Sequence, residues 1–202
     1  MGAAASEPRD DRFGHPVVLK VYNLSAQCCH MQDVYHTSVV VDDVEYAFTD
    51  MGIMKERVST KEGTTGVYGI GIPAFRGMSA ISGQDMERLL STHFQRGSYD
   101  LLKKNCNTFS DCALFCLLGE RLAEKYRSVE KVAGFLNDLT GVVQAMSQGR
   151  YKPNPKAQDF ETLAVLKQIE VQMRREGGIY LPTLALHHSA RTIQTALHKS
   201  PR

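Results

Sequence analysis

One cysteine of this chain stands in a setting unlike the other four. In LLKKNCNTFSDCALFCLLGE, Leu101 to Glu120, Cys106 is bracketed by Asn105 and Asn107 just before an apolar helical pattern begins. Phe109, Ala113, Cys116 and Leu117 recur at helical spacing, and Gly119 supplies a stop. Cys106 therefore falls in the first turn of a helix. Unsatisfied backbone N–H groups and the positive end of the helix dipole lie there, and both favour a thiolate. The same amides can hold the oxyanion formed when a thiolate attacks a carbonyl. The competing reading is a half-buried helix-start thiol with no chemistry. Cys112 and Cys116 lie in the helix body, where burial keeps thiols inert. They are i, i+4 partners, but no second Cys/His pair has zinc spacing, so core packing is expected and no metal or cofactor is implied.

A cysteine nucleophile needs a base that later serves as an acid, usually histidine. The chain has seven: His15, His30, His36, His93, His187, His188 and His198. His15 falls in the N-terminal leader, and the last three fall in a tail of mixed composition. His30 follows Cys28 and Cys29 in a polar turn, and His93 sits near a helix end. His36 alone opens a β-branched run, HTSVVV, and a rigid strand suits a side chain that must aim. The alternative for His36 is a polar residue at a strand entrance, satisfied by a backbone carbonyl.

The elements that must position this pair are legible in outline. PVVLKVYNL (Pro16–Leu24) reads as a strand, and YHTSVVVDDVEYAFTDMGI (Tyr35–Ile53) as a hairpin turning at Asp42-Asp43. A Gly/Thr-rich loop follows, then a strand near Val67–Ile72. SGQDMERLLSTHF (Ser82–Phe94) opens on a capping residue and places Met86, Leu89, Leu90 and Phe94 on one helix face. A further helix is expected around Ala133–Met146. The domain division is a flexible leader over 1–15, a folded domain over 16–148 and a linker over 149–158 with two prolines and three basic residues. A C-terminal helix and a poorly ordered tail fill 159–202, with Phe160, Leu163, Leu166, Ile169 and Met173 at helical spacing.

Composition sets limits on partners. The apolar fraction is 43% and the net charge only +2, and no basic patch is interleaved with aromatics, so nucleic acid is not an expected partner. No apolar run approaches the roughly 20 residues that span a bilayer, and no secretory signal is visible. Five cysteines, an odd and sparse set, suit a reducing compartment, so the expected location is cytoplasmic, with the nucleus or a membrane periphery as alternatives. MGAAAS fits the N-myristoylation pattern with Gly2 as acceptor, set against an unmodified, small-residue N-terminus. One such chain would give only a weak, reversible membrane tether.

Taken together, YHTSVVV…EYAFTDMGI and GSYDLLKKNCNTFSD resemble the PPPDE family of permuted papain-like peptidases, which includes the deSUMOylating isopeptidases. The resemblance spans roughly Val17 to Val143. It implies an α/β (α+β) fold, a small antiparallel sheet or barrel packed against helices, with histidine ahead of cysteine in the chain. The family's catalytic pair falls on His36 and Cys106. The implied substrates are conjugates of ubiquitin-like modifiers such as SUMO or ubiquitin. The same dyad also serves a protein S-acyl thioesterase (depalmitoylase), because both reactions pass through an acyl-cysteine. A non-catalytic adaptor, a redox sensor and a homodimer complete the alternatives. The Cys106 N–H is an oxyanion donor in this scheme. Asn105, Asn107, Ser38 and Tyr46 are the candidates for an orienting third residue or oxyanion contact. Asn107 and Ser110 have a plainer alternative, satisfying backbone groups at the helix start. The segment Gly63–Gly71 is expected to face substrate.

Overall fold

The structure, a computed structural model, describes residues 14–24, 34–58, 71–127 and 151–176. Five antiparallel strands form one open sheet in the order β4-β3-β2-β1-β5. They are β1 (His15–Asn23), β2 (Tyr35–Val41), β3 (Val44–Thr49), β4 (Gly52–Arg57) and β5 (Ile72–Ser79). Among the described residues three α-helices accompany them, α1 (Gly83–Ser91), α2 (Cys106–Leu118) and α3 (Thr162–Arg175). The sheet is open, so of the two forms expected it is the sheet and not the barrel.

The β2–β3 hairpin turns at Asp42-Asp43, whose φ angles of 51° and 62° are the left-handed pair that a two-residue primed turn demands. That turn fixes the register Val41↔Val44, Val40↔Glu45 and Val39↔Tyr46. Period-two alternation then sends Val17, Leu19, Val21, Val39, Val41, Tyr46 and Phe48 into the core. Lys20, Tyr22, His36, Ser38 and Glu45 take the opposite, outer face.

α2 is buried on every side, from Cys106 to Leu117, because it lies between the inner sheet face and the other two helices. Its apolar surround explains why the sequence shows a weak stripe there, whereas α1 is strongly amphipathic. Gly119 ends α2 in the left-handed conformation at φ 68°, its N–H bonded to Phe115 O at 2.9 Å. Asp111, fully buried in α2, accepts from Arg121 Nη2 at 2.6 Å and from the Leu122 amide at 2.7 Å, so the chain leaving the helix is held against it.

Several expectations shift. His15 begins β1 and pairs with Asp42 at 2.6 Å, so it is not part of a leader. β4, GIMKER, was not expected as a separate strand: its side chains are mostly exposed, and an exposed strand at a sheet edge carries no apolar alternation. The strand placed near Val67–Ile72 begins at Ile72 and runs to Ser79. It is at the other edge of the sheet, where Pro73 is tolerated. Residues 67–70, most of the Gly63–Gly71 segment, the helix expected at Ala133–Met146, Gly2, Cys28, Cys29, His30 and the three C-terminal histidines lie outside the described residues.

The proline-rich stretch read as a linker is docked from Tyr151 onward. Tyr151 Oη donates to Asp100 at 3.2 Å, the Asn154 amide donates to Asp100 Oδ2 at 2.8 Å, and Asn154 Nδ2 donates to Gly97 O and Tyr99 O at 3.1 and 2.9 Å. α3 follows and buries Val165, Leu166, Ile169 and Met173. Composition signals a break in periodic structure, but not whether the polar side chains at that break find partners.

Candidate active site

Asn105 is the N-cap of α2. Its Oδ1 accepts from the amides of Asn107 and Thr108 at 2.9 and 3.0 Å, and Thr108 Oγ1 accepts from the Asn105 amide at 2.8 Å, a reciprocal capping box. Its Nδ2 donates to Leu101 O at 2.9 Å. Asn105 is thus committed to starting the helix with Cys106 as first residue. The backbone role expected of Asn107 and Ser110 falls instead to Asn105 and Thr108.

The sheet provides the second half of the site through a change of partner along β2. β3 pairs with β2 only over Val39–Val41, leaving Tyr35–Ser38 without β3 beside it. The Leu24 amide donates to Val34 O at 2.9 Å, which sets the alternation of the β1–β2 ladder. By that alternation Tyr35 and Thr37 turn their amide groups away from β1, toward the vacated edge. The first turn of α2 occupies that edge. Asn107 Nδ2 donates to Tyr35 O at 2.9 Å, and Thr37 Oγ1 donates to Asn107 Oδ1 at 2.9 Å. The Thr37 amide, which belongs to the peptide bond joining His36 to Thr37, is near enough to the Cys106 sulfur to favour its thiolate form. Cys106 Sγ also lies 3.6 Å from Asn107 Oδ1. Seventy positions of sequence separation are closed by one asparagine that grips the strand on both sides of His36.

Tyr99 and the Cys106 amide also favour the thiolate form of the sulfur. Tyr99 leans on Phe48 at 5.5 Å, and its carbonyl is held by Asn154. The residues just before α2 are therefore braced by the C-terminal segment. Lys104 is buried nearby with its ammonium 5.1 Å from the Phe160 ring and 2.9 Å from Ser98 Oγ, and burial lowers its pKa.

Burial dominates the electrostatics of both expected site residues. It pushes the Cys106 thiol above the usual range, although the Thr37 amide, the Tyr99 hydroxyl and the amides of Asn107 and Cys106 oppose it. The helix-start effect is thus present but outweighed, and the expected thiolate is a neutral thiol in this state. Burial also lowers His36 to about 4, with the charge of Glu45 pulling the other way. Both groups are covered, Cys106 being 7% and His36 4% exposed.

On the outer face the His36 ring packs against Tyr22, centroids 5.4 Å apart. Ser38 Oγ donates to Glu45 Oε1 at 2.6 Å. Tyr46 is elsewhere, on the inner face, with its hydroxyl against Gly83 so closely that a Cβ there would lie 2.6 Å from it. Of the candidates for a third residue, Asn107 touches both strand and thiol, Ser38 shares the histidine's face, and Tyr46 serves α1. Cys112 and Cys116 are buried in the core.

Tyr99, Thr37 and Glu45 were not singled out from sequence. Glu45 was within reach, because the Asp42-Asp43 turn dictates a register that puts it diagonal to Ser38. Tyr99 had no such signal, since a short irregular connector gives no direction for its side chain.

An open antiparallel sheet whose inner face holds a helix with a cysteine at its first position is an α+β arrangement of the permuted papain kind. The model of the PPPDE putative peptidase domain matches residues 15–147, and the chain belongs to that family. Membership makes it a peptidase-like protein. No curated protein matches the chain.

Proposed function

We infer that the protein is a cysteine isopeptidase acting on conjugates of a ubiquitin-like modifier, with Cys106 as nucleophile and His36 as general base and acid. The observation that carries this reading is the bridge made by Asn107, which donates to Tyr35 O at 2.9 Å, accepts from Thr37 Oγ1 at 2.9 Å and lies 3.6 Å from Cys106 Sγ, joining the helix-start thiol to the histidine strand. With both groups neutral, proton transfer accompanies attack. Cys106 Sγ–H gives its proton to a ring nitrogen of His36, and the thiolate adds to the isopeptide carbonyl carbon, its C=O electrons moving onto oxygen. The Cys106 amide and the Tyr99 hydroxyl are the candidate donors to that oxygen. Collapse breaks the C–N bond as the imidazolium protonates the leaving lysine amine. Water, deprotonated by His36, then adds to the acyl-cysteine carbonyl; the C–S bond breaks, the modifier leaves as its carboxylic acid, and the imidazolium returns its proton to the Cys106 sulfur.

The direct test is a panel of ubiquitin-like modifiers bearing a C-terminal electrophile, applied to the wild type, Cys106→Ala and His36→Ala. An adduct lost in Cys106→Ala and slowed in His36→Ala supports the isopeptidase. Labelling of Cys106 by an acyl-thioester mimic, with no modifier adduct, moves the assignment to S-acyl thioesterase. Silence toward both reagents sinks the catalytic reading and leaves the adaptor.

A further inference from the structure

The outer sheet face carries a carboxylate that the dyad does not use. Glu45 accepts from Lys20 Nζ at 2.7 Å, from Tyr22 Oη at 2.7 Å and from Ser38 Oγ at 2.6 Å. The donors come from both strands beyond β3, because Lys20↔Ser38 and Tyr22↔His36 are cross-strand pairs and Glu45 lies beside Val40. Two of the three belong to the immediate frame of His36: Tyr22 is its ring neighbour, and Ser38 is the next residue on its face. Burial alone would raise the Glu45 carboxyl, yet the bonds from Lys20, Ser38 and Tyr22 leave it lowered, so it is held as an anion.

We propose that Glu45 is the positioning residue for His36, acting through Tyr22. The Tyr22 phenol is tied to the carboxylate, and its ring is fixed as the wall against which the imidazole packs. The anion favours the imidazolium that forms when His36 takes the Cys106 proton. No proton passes to Tyr22 or Glu45; the effect is orientation and field, the part a buried aspartate plays in a triad. Among the described residues, the other charged or titratable groups on or beside β2 include Tyr35, Tyr46, His15 and Asp42 paired at the hairpin turn, Glu56 cross-strand from Glu45, the 3-10 turn residues Glu124, Lys125 and Tyr126, and Cys106. Glu45 is tied by hydrogen bonds to Tyr22 and Ser38, the neighbours of His36 on its own face.

The role rests on the dyad reading, and the experiment separates the two. The imidazole pKa of His36 is followed by NMR titration, assigned with His36→Gln, alongside the pH profile of turnover. Glu45→Gln is expected to lower the His36 pKa by about one unit, a roughly tenfold loss of imidazolium at a given pH. Lys20→Met, which keeps the carboxylate, is expected not to lower it. Tyr22→Phe, which keeps the ring but loses the bond, is expected to reduce kcat with KM unchanged, and it decides the matter if Glu45→Gln does not fold. A His36 pKa indifferent to Glu45→Gln, or full kcat in Tyr22→Phe, overturns the proposal while the dyad stands. Full turnover in His36→Ala overturns the dyad, and the proposal with it.

Discussion

The two faces of the sheet are made by the same strands and obey opposite rules. The inner face is apolar and closes on α2: Phe48 touches Phe94 and Phe109 at centroid distances of 5.0 and 6.5 Å and has no exposed surface. The outer face holds Lys20, Tyr22, His36, Ser38 and Glu45 in a network that ends beside the histidine. Apolar burial of a single large side chain is worth about 1.5–3 kcal/mol, whereas a paired hydrogen bond nets about 1. Stability therefore resides mainly inside, and the outer face is free to be specified by chemistry. Cys106 belongs to neither face, because its sulfur meets the edge of β2 that β3 has left.

The sharpest way to break this comparison is to cut each face once. Phe48→Ala is expected to cost about 3–5 kcal/mol in denaturant unfolding, the usual price of emptying a core aromatic site. Ser38→Ala removes one of three donors to Glu45 and is expected to cost about 1 kcal/mol. Equal losses would mean that the outer network holds the fold together as much as the core does.

The next largest effect is a pH dependence. The folded His36 pKa, about 4, lies below its ordinary 6.5. The unfolded chain therefore binds more protons in this range. The histidine's contribution is complete above pH 6.5 and is lost as pH falls toward 4, amounting to ~3 kcal/mol. Glu45, with its pKa lowered, adds loss of the same sign further into acid. Unfolding free energies measured at pH 7 and pH 4.5 should differ by less in His36→Gln than in the wild type. An equal acid loss in the two proteins would show that His36 is not buried neutral.

How much of this was legible beforehand depends on range. The cap at Ser82, the stop at Gly119 and the turn at Asp42-Asp43 are local chemistry, and each element they bound stands where the sequence places it. The cysteine at a helix start is equally local. The proposed pairing of His36 with Cys106 rests on family resemblance, because no local signal reports a relation across 70 positions. The bridging role of Asn107 was hidden for a similar reason: an Asn after a helix-start cysteine looks like a capping residue until a second strand is beside it. The direction of the thiol's pKa was missed because dipole and amides are visible in sequence, whereas the depth of burial that outweighs them is not.

Asn107 also tests where faces and edge meet. Asn107→Ala removes the donor to the Tyr35 carbonyl and the acceptor of the buried Thr37 hydroxyl, an expected loss of about 1–3 kcal/mol. It should also slow alkylation of Cys106, whereas Ser38→Ala should not. Asn107→Asp, which keeps the acceptor for Thr37 but not the donor to Tyr35, should fall between. If Asn107→Ala lowers stability and leaves alkylation unchanged, the residue joins helix to strand without setting the thiol.

The smallest effect sharpens the contrast from the inside. Ser110 is fully buried in α2, and among the described residues its Oγ has no hydrogen-bond partner. A buried hydroxyl without a partner carries a desolvation penalty, so Ser110→Ala should be neutral to stabilising by about 1 kcal/mol. Alanine also has the higher helix propensity, a few tenths of a kcal/mol in the same direction. The substitution removes a polar group from the apolar side, the reverse of cutting a satisfied bond on the outer face. Ser110→Ala and Ser38→Ala should therefore move the unfolding midpoint in opposite directions although both delete one hydroxyl. A loss on Ser110→Ala would mean that this hydroxyl is satisfied in solution, and the inner face would then have a polar site of its own beside the Cys106 turn.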